Sequence, residues 1–372
     1  MKIPFVDLRA NYLSIKEEID AAIKNVIDNC AFIGGPYLEE FEENFAKKVG
    51  AKYCVGCSSG TSALQIAMKA HKLNEFVTPS NTFVATAEAG ESLDIYANFI
   101  DVDEENGLMN LNDAVDMVGF CSDINGIVPV HLFGNVVDVD LLRQKLDNVK
   151  VENVTIIEDA AQAHFAKYND GSYVGSKNTT CFSFFPGKCL GGFGDSGCLT
   201  TNNRDVYEFA KAFRDHGRKS KYESEIVGMN LRMDALQAAI LNVKLKYILD
   251  WNTKRRSAAR HYDQKLNKIK QIKILHKMCW EDPKYENQVF HLYVIRTDRR
   301  DELKKFLESN GVSCGVHYPI PIHCQGAYKN NNNRKLPITE MLSKQILSLP
   351  MYPELTEEQI EYICLKVGEF YQ

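Results

Sequence analysis

The 372-residue sequence contains no run of about 18 uncharged apolar residues, so nothing in it reads as a membrane-spanning helix. Its first ten residues, MKIPFVDLRA, carry Lys2, Asp7 and Arg9 and lack the apolar core of a secretion signal. Positive charge is not in excess: 44 Lys and Arg stand against 49 Asp and Glu, a net −5. Such a field does not attract phosphate backbones or anionic lipid, which argues against nucleic acid or membrane as the main partner. No internal repeat is visible. The 11 cysteines are an odd number without framework spacing, so reduced thiols in a cytoplasmic protein are expected rather than disulfides. Cys54 and Cys57 form a lone CxxC with no second pair to complete a zinc site, and burial as small hydrophobes is the expected role.

What is present is globular usage, 45% hydrophobic and 25% charged, in a chain long enough for one large core and a smaller second one. Ser14-x-x-Glu17 predicts a capping box, followed by Ile15, Ile19, Ile23, Val26 and Ile27 at helical spacing. Leu38, Phe41, Phe45 and Val49 predict a second amphipathic helix. Short apolar runs then alternate with helix-length segments. The runs begin at Tyr53 and continue at Phe76–Val77, Ile95–Ile100, Ile127–Phe133, Val154–Ile157 and Cys181–Phe185. Apolar strands alternating with helices imply a mostly parallel sheet covered on both faces, with ligands gathering at the carboxyl ends of the strands.

From Arg232 the pattern changes to long helices, one reaching Trp251 and the next over 252–268. A strand pair around Ile272–Leu275 and Val289–Arg296 follows, then a helix after Arg299 and another opening at Thr356-x-x-Gln359. The reading is a large α/β domain over 1–250 and a smaller α+β domain over 251–372. KNNNNRK, at 329–335, is a polar loop.

Two glycine motifs are decoys. Gly192-x-Gly194-x-x-Gly197 matches a dinucleotide fingerprint, but the following CLTT reads as a strand where a helix N-terminus is needed. Gly187-Lys188 fails as a phosphate loop, because Phe182 stands where glycine is required and Cys189 where Ser or Thr must reach magnesium. Three other features remain open locally. Ser58-Ser59-Gly60-Thr61-Ser62, between a strand and a helix, is either an ordinary N-cap or a one-phosphate site. Asp159, in IIEDAAQAH, either caps a helix or aims a carboxylate into the cleft. Lys188, in FSFFPGKCLGGFGDSG, is a solvated turn residue or a desolvated amine.

One chemistry uses all three: a cofactor with a phosphate, a basic ring nitrogen and an aldehyde, as in pyridoxal 5'-phosphate. The glycines beside Lys188 let backbone and ring approach closely, and desolvation lowers an ammonium pKa towards the nucleophilic range.

At this point the chain resembles the nucleotide-sugar aminotransferases of the DegT/DnrJ/StrS group. The resemblance runs from IPFVDLRANY through SSGTSALQIAM, TPSNTFVATAEA, PVHLFGN, IEDAAQAH and FSFFPGKCLGGFGDSG to HLYVIR, GVHYPIPIHCQGAY and LSLPMYPELTEEQ. It implies the aspartate-aminotransferase-like architecture of pyridoxal-phosphate fold type I. It implies Lys188 as the Schiff-base lysine, Asp159 as partner of the pyridine nitrogen and Gln162 as a neighbour of the ring hydroxyl. Ser59, Gly60, Thr61 and Ser183 match phosphate ligands, and Phe83 the aromatic stacked on the ring. The resemblance further implies a homodimer with shared sites, Asn230 reaching the phosphate of the neighbouring subunit. Lys221, Tyr222, Arg232, His317, Tyr318 and His323 look like contacts for the sugar nucleotide. His317 and His323 find no third ligand, so no metal is expected.

The implied reaction takes an amino group from L-glutamate, leaving pyridoxamine 5'-phosphate, and passes it to a ketosugar nucleotide. Lysine rather than histidine at 188 favours transamination over the dehydration that some relatives perform. The opening segment, KYES and HYPIPIH most resemble members acting on carbon 3 of dTDP-3-keto-6-deoxyhexoses, with a 4-keto sugar nucleotide 4-aminotransferase as the alternative. Cys189 for the usual Asn, Cys324 for an apolar residue and Gly326 for Pro depart from the pattern, in positions that bear on loop rigidity and sugar preference. A nicotinamide-dependent oxidoreductase resting on Gly192–Gly197 and a non-catalytic ligand-binding protein on the same scaffold are the readings from other classes.

Overall fold

The computed structural model describes residues 1–151, 153–276, 282–328 and 334–372, so residues 329–333 of the expected polar loop lie outside the described residues. The chain opens with α1 Leu8–Ser14, α2 Lys16–Asp28 and α3 Pro36–Val49. The expected capping box at Ser14 does not form. Ser14 ends α1, its hydroxyl donating back to the Asn11 carbonyl at 2.8 Å, and Ile15 precedes α2 with no side-chain cap. A serine hydroxyl satisfied by a carbonyl three residues back is lost to capping. α3 begins on Pro36 and stops at Gly50, whose φ of 84° only glycine adopts without strain.

Seven strands form the main sheet: β1 Tyr53–Cys57, β2 Glu75–Pro79, β3 Tyr96–Ile100, β4 Ile124–Ile127, β5 Thr155–Asp159, β6 Thr179–Ser183 and β7 Gly197–Thr201. Their order is β1-β7-β6-β5-β4-β2-β3, and among the described residues only β7 runs against its neighbours. The helices serving this sheet are α4 Gly60–Ala70, α5 Ala85–Glu91, α6 Leu111–Phe120, α7 Val139–Asn148 and α8 Arg204–Phe213. An exposed hairpin, β8 Arg218–Ser220 and β9 Glu223–Ser224, follows. Helices α9 Ala235–Leu245 and α10 Ile248–Leu266 then lead to a second, antiparallel sheet of β10 Lys273–Ile274, β11 Tyr293–Arg296 and β12 Ile346–Leu349. Helices α11 Arg300–Ser309, α12 Pro337–Gln345 and α13 Glu357–Phe370 complete it, α13 with the expected Thr356/Gln359 capping box.

Four further expectations need correction. The run Ile127–Phe133 is not a strand beyond Ile127, because Pro129 donates no hydrogen bond and Phe133 and Gly134 turn at positive φ, 64° and 95°. β6 starts two residues before Cys181 and ends at Ser183, not Phe185. The long helix does not reach Trp251 unbroken: the amides of Lys246 and Tyr247 bond three residues back, to Val243 and Lys244, which closes α9 and reopens the chain as α10. No α-helix separates β5 from β6; the chain there makes turns.

The core under the main sheet is aromatic. Phe45 meets Phe182 at 5.1 Å and Phe184 at 5.5 Å, holding α3 against the strand that leads to Lys188. A separate cluster under the second sheet holds Tyr262 and Tyr293, stacked at 4.6 Å, and includes Ile3, which bridges to Val312. Among the described residues no helix is long and apolar enough to cross a membrane.

Candidate active site

The carboxyl ends of β1, β2, β5 and β6 open on one cavity of about 600 Å³. Its walls include Ser59, Gly60 and Thr61 after β1, Phe83 after β2, Asp159 and Gln162 at the end of β5, and Ser183 and Lys188 after β6. His317 and Tyr318 reach it from beside the second sheet. Ten of the sequence-selected residues therefore meet in one place, at a size suited to a cofactor with substrate.

Ser59 caps α4, its hydroxyl accepting from the Ser62 amide at 3.0 Å. Gly60 at the helix start is there for closeness: a Cβ on it would lie 2.7 Å from the Ser183 Cβ. Gly197 closes the same corner, since a Cβ there would stand 2.4 Å from the Ser59 carbonyl. Two chain segments are thus pressed together at a helix N-terminus, where an anion is favoured.

Asp159 does not cap a helix. Its Oδ1 accepts from the Ala161 amide at 3.1 Å, and its Oδ2 accepts from the Thr86 hydroxyl at 2.8 Å, in a setting only 5% exposed. Gln162 is fixed in orientation: its Oε1 accepts from the Phe133 amide at 2.6 Å and its Nε2 donates to Tyr318 Oη at 3.2 Å. The Phe83 ring lies 5.7 Å from that of Tyr318.

Lys188 keeps part of its surface open to the cavity, yet the protein packed around its ammonium pushes its pKa below the ordinary lysine value. The charge of Asp159 opposes that shift. Burial also pushes His317 down to about 4, helped by the charge of Lys188, so it is neutral at pH 7. Its Nδ1 pairs with Ser348 Oγ at 2.9 Å.

Five selected residues lie outside this cavity's walls. Asn230 bridges to Asp215, Arg232 pairs with Asp215 Oδ1 at 2.7 Å, and Lys221 and Tyr222 sit on the exposed hairpin. His323 is buried, its Nδ1 2.7 Å from Ser80 Oγ and its Nε2 3.3 Å from Cys324 Sγ. Cys54 and Cys57 are buried, burial pushing the Cys57 thiol up to about 12.

Sequence reasoning did not find Thr86, Phe5, Asp195 or His291, all of which line the cavity. It also passed over the network behind Asp159. Glu158, fully buried on the opposite face of β5, accepts from His131 Nε2 at 2.7 Å, Tyr168 Oη at 2.7 Å and Asn178 Nδ2 at 2.9 Å. Burial pushes its pKa up, but these hydrogen bonds, His131 foremost, outweigh it and hold the carboxyl below its usual range.

Residues 13–368 match the family described as DegT/DnrJ/EryC1/StrS aminotransferases. The chain belongs to this family. It is a pyridoxal-phosphate-dependent sugar aminotransferase with the α/β architecture of fold type I, as the resemblance implied. A "Pleiotropic regulatory protein" of Geobacillus stearothermophilus is 36% identical, covering 100% of this chain and 99% of that one. The dTDP-3-amino-3,4,6-trideoxy-alpha-D-glucose transaminase of Streptomyces venezuelae is 34% identical over 99% of this chain and 96% of its own. Relatives named for UDP- and GDP-linked sugars are 35% and 30% identical. Among solved structures, S. venezuelae DesV in complex with a ketimine intermediate matches with a TM-score of 0.94 at 33% identity, covering 100% of this chain and 99% of that chain. Ntda from Bacillus subtilis with bound cofactor PMP matches with a TM-score of 0.87 at 29% identity, covering 99% of this chain and 85% of that chain.

The residues present fit the family cofactor. The Gly60–Ser183 corner would supply a close anion site at a helix start, Asp159 a buried carboxylate with two donors to hold it, and Lys188 a desolvated amine on the same cavity.

Proposed function

We propose that this protein transfers the amino group of L-glutamate to carbon 3 of a dTDP-linked 3-keto-6-deoxyhexose, with Lys188 as its catalytic amine. The observation that carries the reading is the shared cavity, in which Lys188, Asp159 and the Gly60–Ser183 corner face one space. The cofactor, when bound, supplies an electron sink that stabilises a carbanion next to nitrogen.

The protein's residues do the rest. Ser59, Gly60, Thr61 and Ser183 hold the phosphate at the start of α4, where amides and the helix dipole favour negative charge. Asp159, held by the Thr86 hydroxyl, would hold a proton on the ring nitrogen, and Phe83 would fix the ring plane. Gln162, oriented by the Phe133 amide on its oxygen and by Tyr318 on its Nε2, would lie beside the ring hydroxyl. Lys188 Nζ would take the proton from the donor α-carbon and return one to the sugar carbon in the second half-reaction, and the downward shift of its pKa favours the free amine that a base requires. His317 and Tyr318, at the cavity wall, contact the sugar. His323 steadies their loop through Ser80.

Asn230, Lys221, Tyr222 and Arg232 then serve the site of a second copy. Tyr222 is 90% exposed and Val227 94% exposed, two bulky side chains among charged neighbours that a homodimer would cover. We read 1–250 and 251–372 as the two domains, the second carrying His317 and Tyr318, and place the protein in the cytoplasm.

Borohydride reduction of the holoenzyme followed by peptide mapping should label Lys188, and Lys188→Ala should abolish turnover. Label elsewhere, or turnover of Lys188→Ala at the unsubstituted rate, would sink the assignment. Glutamate-dependent amination of dTDP-3-keto against dTDP-4-keto sugars decides the carbon; faster turnover of the 4-keto sugar rejects carbon 3.

A further inference from the structure

Lys244 is a buried lysine that the proposed chemistry does not use. It lies in the last turn of α9, only 3% exposed, and makes no ion pair among the described residues. Its ammonium donates to the Gly191 carbonyl at 2.7 Å and stands 4.6 Å from the Phe193 ring centroid. Seven residues earlier, two turns along the same face of α9, Gln237 Oε1 accepts from the Phe193 amide at 2.8 Å. Any side chain on Gly192 would drive a Cβ to 2.7 Å from that oxygen, and one on Gly194 to 3.0 Å from Gln237 Nε2.

Two side chains of α9 therefore grip 191–194 at a carbonyl and an amide. That segment closes the turn bearing Lys188: Gly192 N donates to the Phe184 carbonyl at 2.7 Å, and Lys188 N to that of Phe185 at 2.8 Å. Gly191 is pressed so close to the Pro186 carbonyl that a Cβ would stand 2.3 Å from its oxygen. The turn is a short ring with Lys188 at its tip, and only its closing end is held from outside by α9.

We infer that Lys244 and Gln237 are positioning residues for Lys188, clamping the glycine turn so that the amine is presented to the cavity at a fixed place. The inference rests on the catalytic role given to Lys188. Burying an ammonium with no carboxylate in ion-pair contact is costly, and the Glu354 charge offsets that cost only in part. Lys188 and Lys244 also line one water-sized crevice of about 20 Å³, with Asp7, Arg255 and Glu354 in its walls. Burial pushes Lys244 down to about 8, against the attraction of Glu354, so its charge and the grip on Phe193 fade above that pH.

The test is hydrogen exchange of 189–194 in the cofactor-free protein, comparing the unsubstituted chain with Lys244→Met, Gln237→Leu and Gln237→Glu, the last keeping an acceptor for Phe193. Met and Leu should speed exchange of this segment at least tenfold while β6 and β7 exchange as before, and Glu should leave it slow. In the holoenzyme, Lys244→Met should move the pH midpoint of the cofactor absorption band and lower kcat at least tenfold, with KM for the sugar within threefold. Unchanged exchange in 189–194, or acceleration shared equally with β6 and β7, overturns the inference. Borohydride label away from Lys188 in the unsubstituted holoenzyme would instead sink the catalytic assignment, leaving the exchange result to stand by itself.

Discussion

Thr86 Oγ1 donates to Asp159 Oδ2 at 2.8 Å, from a helix following β2 to the end of β5, with both residues buried. A hydrogen bond to a charged group contributes about 1.5–3 kcal/mol. Thr86→Val should therefore slow the glutamate half-reaction roughly tenfold or more, read by stopped-flow absorbance, while Thr86→Ser keeps most of the rate. Equal rates for Val and Ser would show that the hydroxyl does not steady Asp159.

Gly60→Ala places a methyl 2.7 Å from the Ser183 Cβ, in a corner with no room to yield without separating β6 from α4. Overpacking of this kind costs about 1–3 kcal/mol. The expected outcome is a lower melting temperature and loss of bound cofactor on dialysis, the second effect exceeding that of Gly326→Ala, where open space surrounds the added carbon.

His164, fully buried between Phe182 and Phe184, is pushed down to about 3 by burial and by the charge of Lys188. Unfolded, its pKa is about 6.5. Between those values the unfolded chain binds the extra proton, so stability is full above about 6.5 and falls as the pH drops towards 3. His164→Phe should reduce the slope of unfolding free energy against pH by about 1.4 kcal/mol per unit in that window, measured by urea titration at pH 7, 5.5 and 4.5. A slope identical to that of the unsubstituted protein would contradict it.

Removing the Glu158 carboxylate leaves His131 and Tyr168 with buried donors unmatched, and Asn178 with a half-buried one. Glu158→Ala should cost about 3–5 kcal/mol in urea unfolding. A loss under about 1 kcal/mol, the scale of an exposed pair, would mean the network relaxes around the gap.

The residues that converge on the cavity were legible because their motifs fall at strand ends, and strand ends of a parallel sheet share one edge. Lys188, Asp159 and Gly60 needed no contact map to be singled out. Thr86 did: within NTFVAT nothing distinguishes a threonine facing a carboxylate from one packed in a core. His291 was hidden at the entrance to an apolar strand, HLYVIR, and Glu158 beside the more conspicuous Asp159. The break between α9 and α10 has no Gly or Pro to announce it, since it comes from tightened hydrogen bonding at Lys246 and Tyr247. β12 was missed for its length, four residues that gain strand character only by pairing with β11. Ser14 shows the reverse error: a correct capping pattern overruled by a nearer hydrogen-bond acceptor.

The reversal of β7 ties the turn bearing Lys188 to the Gly60–Ser183 corner. Because that strand returns between β1 and β6, Gly197 ends the lysine turn and also abuts Ser59, 138 positions earlier in the chain. Adding or deleting one residue between Phe184 and Ser196 would slide Gly197 out of this contact and put the next side chain in its place. The span of that turn is thus set by the corner it leans on, whereas the wall carrying His317 and Tyr318 can change without disturbing it.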